Sequence, residues 1–402
     1  MMEPEPKKQV SLYYILKTFL TIGSVSFGGY SSLVSMVKVN MVDRDKTISD
    51  NIIFEGFSIA SLLPGPVAVN TVAYIGYYLR GWYGAMIAFS AVIIPSFLLV
   101  VILTHLYLMY AEIPAIRNIL AGVTPVILAI IFSVGVKLSR KNINSIRHIF
   151  ILACGFLIHL FMSGYLVFIL SLVLAAVLGL LLFRNVGQAR EELTDHAQPD
   201  PQNSRNLPLL LVFCVIAASL VFILAINPSL LKIAEVFGKV SLTLFGGGYV
   251  MIPILEGLLV SKLNWLTKQE FIDAIAIGQL TPGPILISAA FVGYKLNGIL
   301  GALVGTIAIF GPSAAVMVII ASKVHHLKNN KIWLRIMEGV RPMVISFIFY
   351  SIWVIFEGLS HYYFNIIIFV IGAYLMVMHK INFLYIMLGG AVLGLLFFNI
   401  AS

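Results

Sequence analysis

The sequence predicts an all-α polytopic membrane protein built from two copies of one unit, and three observations carry that prediction. Bulk composition comes first: 60% of the 402 residues are hydrophobic, 11% are charged and the mean hydropathy is +1.00, whereas a soluble domain carries about 25% charged residues. Apolar runs are the second. About 20 helical residues cross the roughly 30 Å of hydrocarbon in a bilayer, and runs of that order follow one another from end to end, with no sign of the alternating strands of a membrane barrel. The third is an internal repeat. Phe27-Gly28-Gly29 and Pro64-Gly65-Pro66 return as Phe245-Gly246-Gly247 and Pro282-Gly283-Pro284 at a constant offset of 218, and Glu55 returns as Asp273. After the Pro-Gly-Pro the offset becomes 217, through Gly76-Tyr77 and Gly293-Tyr294, Pro95-Ser96 and Pro312-Ser313, and Gly122-Val123 and Gly339-Val340, so one deleted residue explains the slip.

In chain order the apolar runs lie near 11–37, 52–79, 82–108, 115–137, 147–163, 165–183, 208–226, 231–259, 270–296, 299–323, 333–356, 362–378 and 382–400, which predicts 13 transmembrane helices. Residues 1–183 form the first repeat, 184–226 a polar cytoplasmic linker with one linking helix, and 227–402 the second repeat. The acidic and basic N-terminus, MMEPEPKKQV, reads as a cytoplasmic lead-in and not a signal peptide. Cys154 and Cys214 both sit in apolar runs and argue against a disulfide. The net charge of +9 is dispersed over membrane loops, which points to loop topology and the lipid bilayer and away from nucleic acid as a partner. A second copy of the chain, as a homodimer, is also among the expected partners.

Lysine and arginine placement orients the two copies. The loop after the fourth run holds Lys137, Arg140, Lys141 and Arg147, whereas in the second copy the basic loop comes before the corresponding run, with Lys323, Lys328, Lys331 and Arg335. Positive loops face the cytoplasm, so the two six-span repeats are expected in inverted topology, with the N-terminus inside and the C-terminus outside. One loop fits badly: Lys38, Arg44 and Lys46 fall outside in this scheme.

Proline removes a backbone donor and clashes with the preceding turn, so Pro-Gly-Pro within an apolar run breaks a helix near mid-membrane. Unpaired backbone groups in hydrocarbon cost several kcal/mol each, so the break survives only beside protein or a watery cavity. The helix that starts at Gly65 or Gly283 directs its free amides into that cavity, where an anion is the natural occupant. Whether each run is one broken span or a re-entrant hairpin stays open at this point. The candidate substrate-binding residues are Phe27, Gly28, Gly29, Ser61, Pro64, Gly65, Pro66 and Asn70 in the first copy. The second copy offers Phe245, Gly246, Gly247, Gln279, Thr281, Pro282, Gly283, Pro284 and Ser288. Glu55 and Asp273, nine residues ahead of each Pro-Gly-Pro, are candidates for carrying protons or for pairing with Arg80 and Lys295. Ser49 and Thr267 are expected helix N-caps, the latter with Glu270. No ligand spacing for a metal and no nucleophile, flavin or nicotinamide motif is visible, so neither an enzyme nor a cofactor is expected.

The order Phe-Gly-Gly, acid, Leu-Pro-Gly-Pro, Gly-Tyr-x-Leu, Gly-x-x-Gly-Ala and Pro-Ser, given twice, resembles the two-domain form of the chromate ion transporter family; its most specific stretch is residues 265–284. The resemblance implies an inner-membrane protein that moves chromate outward and confers chromate resistance. Ser61 and Leu63 stand where the second copy has Gln279 and Thr281, which sets the copies apart. A dianion leaving a cell that is negative inside gains roughly 4.6 kcal/mol per 100 mV, in accord with export. A carrier of another tetrahedral oxyanion such as sulfate, and an anion channel, are the alternatives.

Overall fold

The computed structural model describes residues 10–27, 30–61, 63–110, 113–162, 164–183, 227–243, 248–321, 331–359, 362–379 and 381–401. The linker and linking run at 184–226, Gly28 and Gly29, and Phe245, Gly246 and Gly247 lie outside them. Every described element is helical. The first copy comprises α1 (Leu12–Val25), α2 (Tyr30–Val37) extended by a π-helical turn (Lys38–Arg44), α3 (Asp50–Ala60), α4 (Val67–Tyr110), α5 (Pro114–Asn142), α6 (Ile146–Phe161) and α7 (Tyr165–Leu182). The second has α8 (Pro228–Thr243), α9 (Met251–Glu256) with a π turn (Gly257–Lys262), α10 (Lys268–Leu280), α11 (Ser288–Ala321), α12 (Lys331–Phe356), α13 (Tyr362–Val377) and α14 (Phe383–Ala401). Five helices, α4, α5, α7, α11 and α12, are long and apolar enough to cross a membrane, and α1, α6, α13 and α14 are shorter apolar helices. The chain is a polytopic membrane protein.

Local caps explain where several helices start. Ser11 accepts the Tyr14 N–H at 3.1 Å, and Thr267 with Glu270 forms the expected capping box ahead of α10. Ser49 occupies the cap position of α3 but makes no side-chain bond there.

Three of the apolar runs are not single crossing helices. Tyr14, at the start of α1, donates to Asp45 at 2.6 Å, although one through-going helix would set those residues about 45 Å apart. Arg44 and Tyr14 together hold the Asp45 carboxyl below the usual carboxylate range. Tyr74 stands beside Glu55, and a Cβ on Gly56 would stand 2.6 Å from the Tyr74 ring. Glu270 and Lys295 pair at 2.5 Å. Each contact requires the chain to fold back, so 12–44, 50–79 and 268–296 are helical hairpins. The second and third turn at the two Pro-Gly-Pro segments, and the first turns between α1 and α2. Both arms of such a hairpin end on one side.

A second turn follows at once in each copy. Arg80 (φ −145°, ψ 28°) and Gly81 (φ 59°, ψ −148°) match Asn297 (φ −150°, ψ 33°) and Gly298 (φ 58°, ψ −149°). Past this turn residues 82–110 run back along 67–79, with the Gly76 and Gly84 backbones in contact, as those of Gly293 and Gly301 are in the second copy. Glycine there lets two helix backbones meet.

The copies interlock. Gly122 of α5 packs on Gly390 and Gly394 of α14, while Gly339 of α12, its equivalent, packs on Ala175 and Gly179 of α7. The last helix of each copy thus serves the other. Equivalent hairpin ends also lie far apart: Tyr77 meets Trp82 at the start of the limb 82–110, whereas Tyr294, equivalent to Tyr77, meets His105 at 3.0 Å, about 35 Å further along that limb.

Candidate functional site

Both Pro-Gly-Pro turns reach the interior, and each is closed by a serine of the other copy. Gly65 adopts φ +114° and Gly283 φ +108°, values that only glycine takes without strain. A Cβ on Gly65 would collide with Ser313, and one on Gly283 would stand 2.9 Å from Ser96 Oγ. Ser96 and Ser313 are equivalent residues, each just after a helix proline. Their contacts with the turns are thus reciprocal across the repeat.

Polar groups accumulate at these turns. Asn70 Nδ2 donates to the Pro64 carbonyl at 3.2 Å, and Ser313 Oγ donates to Phe310 O at 3.2 Å and lies 3.4 Å from Asn70 Oδ1. Thr281 Oγ1 donates to Gly278 O at 2.9 Å. The Gly283 N–H donates to the carbonyl of Ser26 at 2.8 Å, which brings the residue before the first Phe-Gly-Gly onto the second Pro-Gly-Pro. Gly248, directly after the second Phe-Gly-Gly, lies against Ile285. Ser26 and Gln279 are 0% and 5% exposed, and among the described residues Ser26 Oγ and Gln279 Nε2 have no hydrogen-bond partner. Two buried donors without partners are costly unless something accepts from them.

Other sequence candidates fall elsewhere. Ser61 gives its hydroxyl to Phe57 O, Ser288 is buried at the start of α11, and Phe27 is half-buried beside the turn. Arg80 is exposed at the hairpin exit, and Lys295 is held by Glu270. Asp273, 4% exposed, instead accepts from Tyr107 at 2.8 Å and from Gln269 at 3.0 Å. Sequence inspection missed Ser26, Ser96, Ser313 and Tyr107 as site residues. The signal for the two Pro-Ser serines was present in their duplication, while Ser26 and Tyr107 have no counterpart of their own type.

The arrangement presents neutral donors and helix N-termini, with no formal charge at the turns among the described residues. Such a set accepts an anion by hydrogen bonds and releases it without breaking an ion pair.

Comparison with known proteins gives a consistent result. A family model described as chromate transporter matches residues 13–183 and 231–395. An uncharacterized transporter of Methanocaldococcus jannaschii is 29% identical over 395 residues, covering 98% of this chain and 96% of the relative. A probable chromate transport protein of Synechococcus elongatus is 30% identical over 334 residues (80% and 79%), and a chromate transport protein of Cupriavidus metallidurans 28% over 308 residues (75% and 72%). No solved structure matches.

Proposed function

We propose that this chain, which belongs to the chromate transporter family, carries chromate out of the cell between its two Pro-Gly-Pro turns. The family is one of transporters and not of enzymes. The observation that carries the proposal is the reciprocal closure of each turn by the other copy's serine, Gly65 with Ser313 and Gly283 with Ser96. A path built at that joint changes whenever the copies move relative to one another, as alternating access requires. The second turn is the main binding point. It gathers Ser26, Gln279 and Thr281, whereas the first offers Asn70 with Pro64 and Pro66. Gly28, Gly29, Phe245, Gly246 and Gly247 belong to the same expected site.

Topology in this proposal is inverted, with repeats at 1–183 and 227–402 joined by 184–226. If 228–262 folds as 12–44 does, two hairpins leave four crossings in each copy, an even number, and the linking run then turns the second copy over. The distance between the Tyr77–Trp82 and Tyr294–His105 contacts supports opposite faces for equivalent hairpin ends. The Tyr14–Asp45 bond supports a loop 38–46 on the N-terminal side, where its lysines and arginine obey the positive-inside rule.

Export follows from charge. In the inner membrane of a cell that is negative inside, a dianion gains roughly 4.6 kcal/mol per 100 mV on leaving, and chromate resistance is the consequence. The test is chromate uptake by inverted vesicles made positive inside. Native chain should load them, and Gln279→Leu or Ser26→Ala should cut the initial rate about tenfold, the worth of one lost donor to a charged acceptor. Empty-vesicle rates with the native chain would sink the proposal, and uptake abolished by modest sulfate excess would reassign it to another tetrahedral oxyanion.

A further inference from the structure

The phenol that meets each acid comes from a different place in the two copies. In the first copy Glu55 is met by Tyr74, within its own hairpin. The equivalent of Tyr74 is Phe291, which has no hydroxyl to give. Asp273 receives its phenol from Tyr107 instead, at 2.8 Å, and the Tyr107 ring lies 5.3 Å from Phe291. Tyr107 belongs to the limb 82–110 of the first copy, Asp273 to α10 of the second. The acid is therefore bonded across the joint between repeats.

From this we infer that Asp273 is a proton-binding site coupled to movement between the two copies. Its surroundings supply neutral donors. On its own helix stand Gln269, which donates to it, and Glu270, which is taken by Lys295 of α11. From α11 come Phe291 and Tyr294, the latter bonded to His105. Of the other elements packed on α10, α5 has Arg117 exposed at its near end and Lys137, Arg140 and Lys141 at its far end, and the π turn of the second copy ends on exposed Lys262. Among the described residues no cation pairs with Asp273. A carboxylate so placed in a membrane protein is held by hydrogen bonds alone, and taking up a proton removes its charge there. A phenol bonds a carboxylate about twice as strongly as a neutral carboxyl. Protonation therefore loosens the joint, and only an O–H bond forms or breaks.

The test uses native chain in inverted vesicles with a trapped pH dye, the potential clamped by potassium and an ionophore. Chromate entry should be accompanied by a lumenal pH change. In Asp273→Asn the proton-to-chromate ratio should fall at least fivefold, while Glu55→Gln keeps the native ratio. Tyr107→Phe retains the carboxyl and should shift the pH midpoint of flux with the ratio unchanged, and it decides the matter if Asp273→Asn does not insert. Infrared titration of the purified chain gives a readout independent of flux: a carboxylic C=O band that grows on acidification should be missing in Asp273→Asn and present in Glu55→Gln. Chromate entry without proton movement, a native ratio in Asp273→Asn, an unshifted midpoint in Tyr107→Phe, or a band unaffected by Asp273→Asn would each overturn the inference.

Discussion

Gly65 and Gly283 hold backbone conformations in which an L side chain costs about 1–2 kcal/mol. They differ in what surrounds them. A methyl on Gly65 runs into the Ser313 side chain, whereas one on Gly283 meets Ser96 Oγ at 2.9 Å and Cβ at 3.1 Å, a smaller displacement. Gly65→Ala should therefore lower the unfolding temperature in detergent more than Gly283→Ala, and adding Ser313→Gly to Gly65→Ala should recover the collision but not the strain. Equal loss in the two single variants, with no recovery in the double, would show that the serine does not close the turn. The glycines were legible in the sequence because they recur at a fixed offset between prolines. Ser96 and Ser313 recur just as faithfully. Nothing in a linear sequence says that a serine some 30 residues past one turn packs on the other copy's turn, so their part emerged only from the fold.

At the level of elements, hydropathy found the apolar runs and the breakers within them but not the direction of the chain after each break. A run of about 28 apolar residues has the same composition whether its halves continue or fold back. The deciding groups are polar residues at the arm ends, Tyr14 with Asp45 and Glu270 with Lys295, and pairs so far apart in sequence carry no local signal. The loop whose charges conflicted with the topology, 38–46, was in effect the clue. A cysteine in place of Lys46, in a chain otherwise without cysteine, should react with an impermeant maleimide from the same side as one at position 11. A broken through-going span places the two on opposite faces. Labelling from opposite sides would remove the first hairpin.

For the whole molecule, the exchange of last helices matters most: α7 closes on α12 and α14 on α5 through glycine contacts that bring backbones together. Neither copy then buries its own inner face. The duplication itself was plain in the sequence, but a repeat period reports kinship between units and not which unit's helix covers which. This interlock makes a prediction about dissection. The linker between 184 and 207 is polar and carries Pro199 and Pro201, with Pro208 just past its end, so a cut there removes none of the glycine contacts. Fragments 1–195 and 196–402 made together should assemble, copurify through a tag on either one and restore chromate flux, whereas each made alone should be degraded or remain aggregated, its small-residue stripe uncovered. Leucine at Gly122 or Gly339 in the corresponding fragment should block copurification, because each of these glycines faces backbone of the other copy and a bulky side chain there cannot be accommodated by a rotamer change. Stable, monodisperse half-molecules would show instead that each copy is a self-sufficient unit, and the joint between copies, where the turns and Asp273 lie, would lose its claim to be the moving part.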